Sequence, residues 1–337
     1  MNKRLRTILQ YLFFFSIGIF LVWWSVKDLG KEDRSQIRAA LSNIRYYLIV
    51  PVFIVLFLSH YIRALRWRLL IEPLGFKPTK ANTFFAVMIG YLANQALPRL
   101  GEVLKCTVLA RYEKVPADKL VGTIILERLI DAISLLIVFA ITLIMQPGLY
   151  GQLMDKVFNG AAEEESKNIS GNLIMLIMLG VAVLAVAAWM FIKKKSLKDL
   201  AAIIKRIGQR IWEGVSAIQH LKKRKAFILY TILIWSLYLF GGYIGFYSMR
   251  ETEHYGINEA FTVLSAGSVG MIITPGGIGG YAFLIERCMM IYNLQPGIAL
   301  AFGWLLWLAN TAVIVLGGLF SFAALPWYNK KKLQPLS

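Results

Sequence analysis

The chain has 337 residues, 58% of them hydrophobic and only 17% charged, yet 37 Lys+Arg stand against 19 Asp+Glu for a formal net charge of +18. With a mean hydropathy of +0.60, that charge excludes an ordinary basic soluble domain and indicates an all-α polytopic membrane protein, one integral domain over residues 1–337. The two cysteines, Cys106 and Cys288, exclude a disulfide scaffold and a paired-cysteine zinc site.

Lys3, Arg4 and Arg6 precede an apolar run from Ile8 to Val26 that ends in Trp23-Trp24 without a small-residue cleavage pattern, so it is expected to remain as a first span. Crossing ~30 Å of hydrocarbon at about 1.5 Å per residue takes roughly 20 apolar residues. Tyr46–Ile62, Val121–Gln146, Asn172–Ile192, Ala226–Met249 and Pro296–Leu325 meet that need, giving about six full spans.

Two apolar stretches fit less well. Asn82–Leu97 is stopped by Pro98 and continues as Arg99-Leu100-Gly101-Glu102-Val103-Leu104-Lys105. Glu259–Thr274 is stopped by Pro275-Gly276-Gly277-Ile278-Gly279-Gly280 and resumes to Asn293. Proline removes a backbone donor, and backbone freed at membrane depth survives only where protein or a water-filled cavity satisfies it. Both stretches are therefore expected to be broken or re-entrant helical hairpins, at 82–110 and 259–293, turning at Pro98 and Gly101 and at Pro275, Gly276, Gly277 and Gly279. One hairpin falls in each half, 1–146 and 226–325. Two interrupted segments of opposite orientation suggest an inverted repeat with a site near the midplane, although two unrelated kinks would give the same pattern. Residues 193–225 carry Leu197, Leu200, Ile204, Ile207, Ile211, Val215 and Ile218 at helical spacing among basic residues, as in an amphipathic linker helix on an anionic inner leaflet.

Placing both termini in the cytoplasm puts 25 Lys+Arg on inner segments and 8 on outer ones, as the positive-inside rule requires of an inner (plasma) membrane protein. The remaining basic residues, Arg99, Lys105, Arg128 and Arg287, and the acidic Glu102, Glu127, Asp131 and Glu286 fall within apolar stretches and balance each other. Ionised groups there usually face a cavity and pair. Arg99, Glu102 and Lys105, spaced three apart, form one stripe after the break: either a head-group site, in which Arg99 offers donors to a lipid phosphate, or a self-satisfied ion-pair stripe. Glu127, Arg128 and Asp131 form a second cluster, fit for proton coupling or for bracing the first hairpin. Glu286-Arg287 echoes it. Arg63 and Arg66, beside Trp67, either receive anionic head groups or snorkel as interfacial anchors. Asn94, Gln95 and Asn310 line a cavity or bond between helices.

Arg63-x-x-Arg66-Trp67, Asn94-x-x-x-Pro98-Arg99-x-Gly101-Glu102, Glu127-Arg128-x-x-Asp131 and Pro275-Gly276-Gly277-Ile278-Gly279 resemble, in order, motifs of the lysylphosphatidylglycerol synthase transmembrane-region, or flippase-like, family. The resemblance runs over nearly the whole chain. It implies a polytopic protein that moves aminoacylated phosphatidylglycerol or a lipid-linked sugar across the bilayer. Two departures qualify it. The soluble aminoacyl-transfer domain of bifunctional members is not expected here, since the chain stops at Ser337. Tyr281-Ala282 stands where many relatives carry a glutamate after the second turn, with Glu286 about one helical turn further on.

The expected function is a flippase-like transporter of an anionic or aminoacylated phospholipid or a lipid-linked precursor. The expected substrate site is Arg99, Glu102, Lys105, Arg63, Arg66 and Asn94, with Glu127, Arg128, Asp131 and Glu286 as a coupling or structural network. An intramembrane head-group enzyme using Glu127 or Asp131 as general base is the first alternative. A non-transporting partner of a lipid or glycan synthase is the second. No phosphate loop, histidine metal motif or dinucleotide fingerprint occurs, so no cofactor, metal or nucleic acid is expected.

Overall fold

The computed structural model describes residues 16–27, 30–97, 99–146, 148 and 221–330. Its regular elements are helical: α1 (Ser16–Lys27), α2 (Lys31–Ser42), α3 (Ile49–Ile71), α4 (Lys80–Ala96), α5 (Leu100–Glu113), α6 (Ala117–Met145), α7 (Arg224–Phe246), α8 (Ile257–Ile273), α9 (Gly280–Ile291) and α10 (Pro296–Tyr328). Among the described residues, the helices containing α3, α6, α7 and α10 are long and apolar enough to cross a membrane, matching four of the six expected spans. Of the first expected span, the described residues contain Ser16–Lys27, helix α1. The span at Asn172–Ile192 lies outside the described residues, as does the linker at 193–225 apart from its last five.

The distribution of apolar surface identifies the solvent these helices meet. In α6 and α7 only 22% of the most apolar window is buried, and Ile125, Leu136, Ile137, Leu229, Ile232 and Phe240 are exposed. Helices that are apolar outside as well as inside belong in hydrocarbon. Helix α10 is half buried and packs against α2, α3, α4 and α9.

At both interruptions the chain turns between two helices that pack on each other, α4 on α5 and α8 on α9. In the first, α4 begins at Thr79, whose hydroxyl accepts a bond from the Asn82 amide at 3.3 Å. It ends at Leu97, held extended as the residue before a proline must be. Pro98 itself lies outside the described residues. The chain then reverses through Arg99, whose backbone is left-handed at φ 69°. A single bond restarts the helix: the Gly101 N–H donates to the Asn94 side-chain oxygen at 2.8 Å, supplying a cap that α5 lacks locally. The arms lie close enough that a β-carbon on Gly101 would fall on the Gly90 carbonyl and the Asn94 amide.

The second hairpin turns through Gly276, Gly277 and Gly279, at φ of 60°, 73° and 73°, conformations that side chains resist. Trp307 Nε1 donates to the Gly276 carbonyl at 2.9 Å and fixes the turn to α10. Trp307→Phe keeps an aromatic ring but loses the bond, together with part of the indole's packing. We expect it to lower stability by about 1 kcal/mol, read as a reduced thermal midpoint in detergent. The turn also leans on α1, where Gly18 meets the Ile278 carbonyl closely enough to exclude a side chain.

The hairpin tips meet. Gly276 abuts the Gln95 side chain, so the end of α4 contacts the 275–277 turn. Around them the buried residues form two main cores, one built chiefly on α3–α6 and the other on α2 and α7–α10.

Three boundaries differ from expectation for physical reasons. Helix α3 continues nine residues past Ile62, to Ile71, because Arg63 and Arg66 are neutralised by buried carboxylates and need not mark an interface. Helix α2 occupies the polar stretch between the first two expected spans, where its Ile37 and Ala40, with Ile44 just beyond its end, join the second core. The last helix runs through Pro326 to Tyr328, where Asn329 exchanges two amide bonds of 2.9 and 2.7 Å with Asn82.

Candidate functional site

Arginines at 63 and 66 are three residues apart and share a face of α3. Glutamate at 127 and aspartate at 131, four apart, share a face of α6. Facing each other, the two pairs build a buried ion network. Arg66 Nη2 donates to Asp131 Oδ1 at 2.6 Å, Arg63 donates to Asp131 Oδ2, and both guanidiniums lie 3.6 Å from Glu127 Oε1. From α5, Lys105 Nζ donates to Glu127 Oε2 at 2.6 Å while standing 4.0 Å from the centre of the Trp67 ring. Trp67 is itself fixed by a bond from Nε1 to Thr123 Oγ1 at 2.9 Å. Helix α7 completes the cage: Arg63 bonds Tyr238 OH at 3.3 Å and Arg66 bonds Thr231 Oγ1 at 3.4 Å.

Three cations against two carboxylates leave this network with one positive charge in excess. Isolated charges would not survive such burial, where Arg66 is 0% exposed and Glu127 4%. Mutual pairing together with hydrogen bonds to uncharged partners makes it tolerable. The positive-inside tally therefore needs a correction: Arg63 and Arg66 are not interfacial anchors but interior charges, so the interior set is no longer balanced.

Two spaces adjoin the network. A small polar void of about 20 Å³ lies between the first hairpin and α6, lined by Tyr91, Asn94, Gly101, Glu102, Lys105 and Glu127 among others. A far larger cavity of about 660 Å³ is walled by α3, α4, α6, α7, α8, α9 and α10. Arg63, Arg128 and Asp131 stand at its charged end. Apolar residues such as Val52, Leu135, Phe139, Val263 and Ile314 form most of the rest. Trp235 Nε1, both ring nitrogens of His60 and Arg63 Nε have no hydrogen-bond partner among the described residues.

The expected site residues distribute as follows. Arg63, Arg66, Lys105, Glu127 and Asp131 come together in the network. Glu102 lies at its edge and pairs with Arg128 Nε at 3.1 Å, in a half-exposed position. Glu102 and Lys105 thus reach across to α6 and do not pair along their own helix. Asn94 caps α5 and lines the small void. Arg99 stands apart: it is exposed at the tip, lines neither space, and has no ion pair among the described residues. Gly101 sits in the seam of the first hairpin, and Pro275, Gly276, Gly277 and Gly279 form the second turn. Glu286 is buried on α9 against α1, away from the network. Ser25 bonds one carboxylate oxygen and Oε2 has no partner. Arg287 turns toward Phe283, its guanidinium 5.3 Å from the ring centre.

Sequence reasoning missed the contribution of α7 and of the tyrosines. Tyr91 and Tyr238 read as ordinary aromatic residues of apolar runs, Tyr281 drew notice only for standing where relatives carry a glutamate, and only the packing brings the three to one cavity. Among the described residues no cluster of three or more His, Cys, Asp or Glu side chains could hold a metal.

A model of the family described as "Lysylphosphatidylglycerol synthase TM region" matches residues 8–318, a span that contains the network, both spaces and both hairpins. A UPF0104 membrane protein of Methanocaldococcus jannaschii is 27% identical over 99 residues, which is 28% of this chain and 30% of that protein. The match thus spans less than a third of that curated relative's length. No solved structure matches the chain.

Proposed function

The chain belongs to the lysylphosphatidylglycerol synthase TM region family of membrane proteins, and we propose on that premise that it moves an anionic lipid or lipid-linked precursor between bilayer leaflets. One observation carries the reading: a buried network with an excess positive charge sits at the end of a largely apolar cavity of about 660 Å³. A lipid presents the same division, an anionic head on apolar tails. Guanidinium forks suit a phosphate, and apolar walls suit the glycerol backbone and first methylenes. The meeting of the two hairpin tips supports a barrier that parts when the substrate passes.

In this mechanism the head group approaches Arg128 at the exposed edge and exchanges its water for Arg63. It then crosses the cavity while its tails remain in lipid. Arg66 and Lys105 hold Asp131 and Glu127 so that Arg63 keeps a free edge toward the substrate. Glu127 and Asp131 are each held by several cations, which leaves them poorly placed to take a proton from a substrate. That disfavours an intramembrane enzyme using either as general base.

The test is reconstitution into liposomes with labelled anionic lipids and measurement of leaflet exposure over time. We expect faster exchange than in empty liposomes. We expect Arg63→Gln to lower the rate about tenfold or more, because a charge-assisted hydrogen bond is worth about 1.5–3 kcal/mol, while the protein remains folded. Absence of acceleration for every anionic lipid tried would sink the proposal. The inner-membrane location, cytoplasmic termini, six-span count and inverted repeat belong to the same proposal, supported by the distribution of basic residues. Cysteine labelling from either side of the membrane at Lys77 and Arg250 tests the orientation.

A further inference from the structure

Polar side chains that line a cavity without bonding to protein show what the cavity is made to bind. Besides its charged end and the unbonded ring nitrogens of His60 and Trp235, the large cavity presents the hydroxyl and amide groups of Tyr91 of α4, Ser268 of α8, Tyr281 of α9 and Asn310 of α10. None of these four side chains makes a hydrogen bond among the described residues, while the hydroxyls of Thr142, Ser265, Thr262 and Tyr292 nearby are all bonded. The four groups come from four helices in both halves of the chain, so no single helix face explains their convergence. Gly267 makes room for the Tyr281 ring, since a β-carbon there would lie 2.7 Å from Cε2.

The charges on the wall are equally selective. Arg63 and Arg128 face the space, and the one carboxylate on it, Asp131, has each oxygen committed to a guanidinium. An amine entering here would meet net positive charge and no free acid, exchanging its water for uncharged acceptors without gaining a counter-charge. A phosphate would meet two guanidiniums. Uncharged hydroxyls on the same head group would meet phenol, hydroxyl and amide groups, each able to donate and accept.

We propose, resting on the reading of this cavity as a lipid site, that it selects a lipid phosphate whose head group carries neutral hydroxyls, a polyol or sugar phosphate, and discriminates against head groups bearing a primary amine. The phosphate takes Arg63 and Arg128, and the hydroxyls take Tyr91, Ser268, Tyr281 and Asn310. Discrimination against amines comes from the wall's charge. Preference over a bare phosphate comes from the uncharged set.

The experiment uses purified full chain in an uncharged polyoxyethylene detergent, with fluorescent short-chain phosphatidylinositol as the probe and anisotropy as the readout. Unlabelled short-chain phosphatidylinositol and phosphatidylglycerol should displace the probe about tenfold more strongly than phosphatidylethanolamine or lysyl-phosphatidylglycerol. Phosphatidic acid should fall between. Asn310→Leu and Tyr281→Phe should each weaken phosphatidylinositol several-fold, as loss of a neutral hydrogen bond does, and leave phosphatidic acid unchanged.

Equal or stronger displacement by either amine lipid overturns the proposal. So does phosphatidic acid matching phosphatidylinositol, equal weakening of both by the variants, or failure of the probe to bind saturably. Inositol 1-phosphate without acyl chains should compete far more weakly, and equal competition would overturn the assignment to a lipid. Displacement requires no passage across a bilayer, so the two proposals fail separately. A preserved preference without leaflet exchange refutes transport alone, whereas exchange with amine lipids preferred refutes only the selectivity.

Discussion

Asp131→Leu should destabilise this protein more than any other single substitution at the network, by about 3–5 kcal/mol, the range for removing one partner of a buried ion pair. The cost arises from what is left behind. Arg63 and Arg66 each donate to one Asp131 oxygen, and Glu127, 3.6 Å from both and already bonded to Lys105, cannot serve all three cations. The double variant Arg66→Met/Asp131→Leu removes a cation with the carboxylate and should recover much of the loss. Thermal midpoints of the two singles and the double in detergent close the cycle. Additive effects would mean that the two side chains are stabilised independently.

Gly101→Ala should be nearly as damaging, although it adds one carbon. That carbon would land on the Gly90 carbonyl and the Asn94 amide, and Asn94 supplies the bond to the Gly101 N–H that starts α5. Overpacking costs about 1–3 kcal/mol where side chains can move aside. Here the obstruction is backbone, so we expect the upper end or beyond. The hairpin arms would separate and carry Lys105 away from Glu127. Cross-linking between cysteines placed on α4 and α5 should fall in Gly101→Ala, and Gly122→Ala, whose added carbon meets nothing within 4 Å, serves as the control.

Four of the long apolar helices and the two helix breaks were legible because each rests on a local signal: an uninterrupted apolar run, or one cut by proline and glycine. The two hairpins came within a few residues of α4–α5 and α8–α9. Charge was harder to read. Arg63 and Arg66 have the sequence appearance of anchors at the end of an apolar run, and nothing local reveals that Glu127 and Asp131, more than sixty residues later, lie against them. Arg99 showed the reverse. Its place after the break made it the leading cation, yet a left-handed residue at a hairpin tip points where the turn sends it, and here that is outward. Of the four unbonded polar groups of the cavity, Asn310 stood out as a polar residue within an apolar run, but its convergence with three groups from other helices is a property of packing alone.

Helix α10 has 33 residues, roughly 50 Å at about 1.5 Å per residue, while the hydrocarbon it crosses is ~30 Å thick. It must therefore stand oblique to the membrane normal or protrude from it, and the angle depends on acyl-chain length. The same helix packs against α4 of the first hairpin and α9 of the second, and its Trp307 holds the second turn. A thicker bilayer would pull α10 upright and shift one hairpin tip against the other. On the membrane-spanning reading proposed above, lipid chain length would act as a mechanical input, delivered along one helix to the place where the two hairpin tips touch.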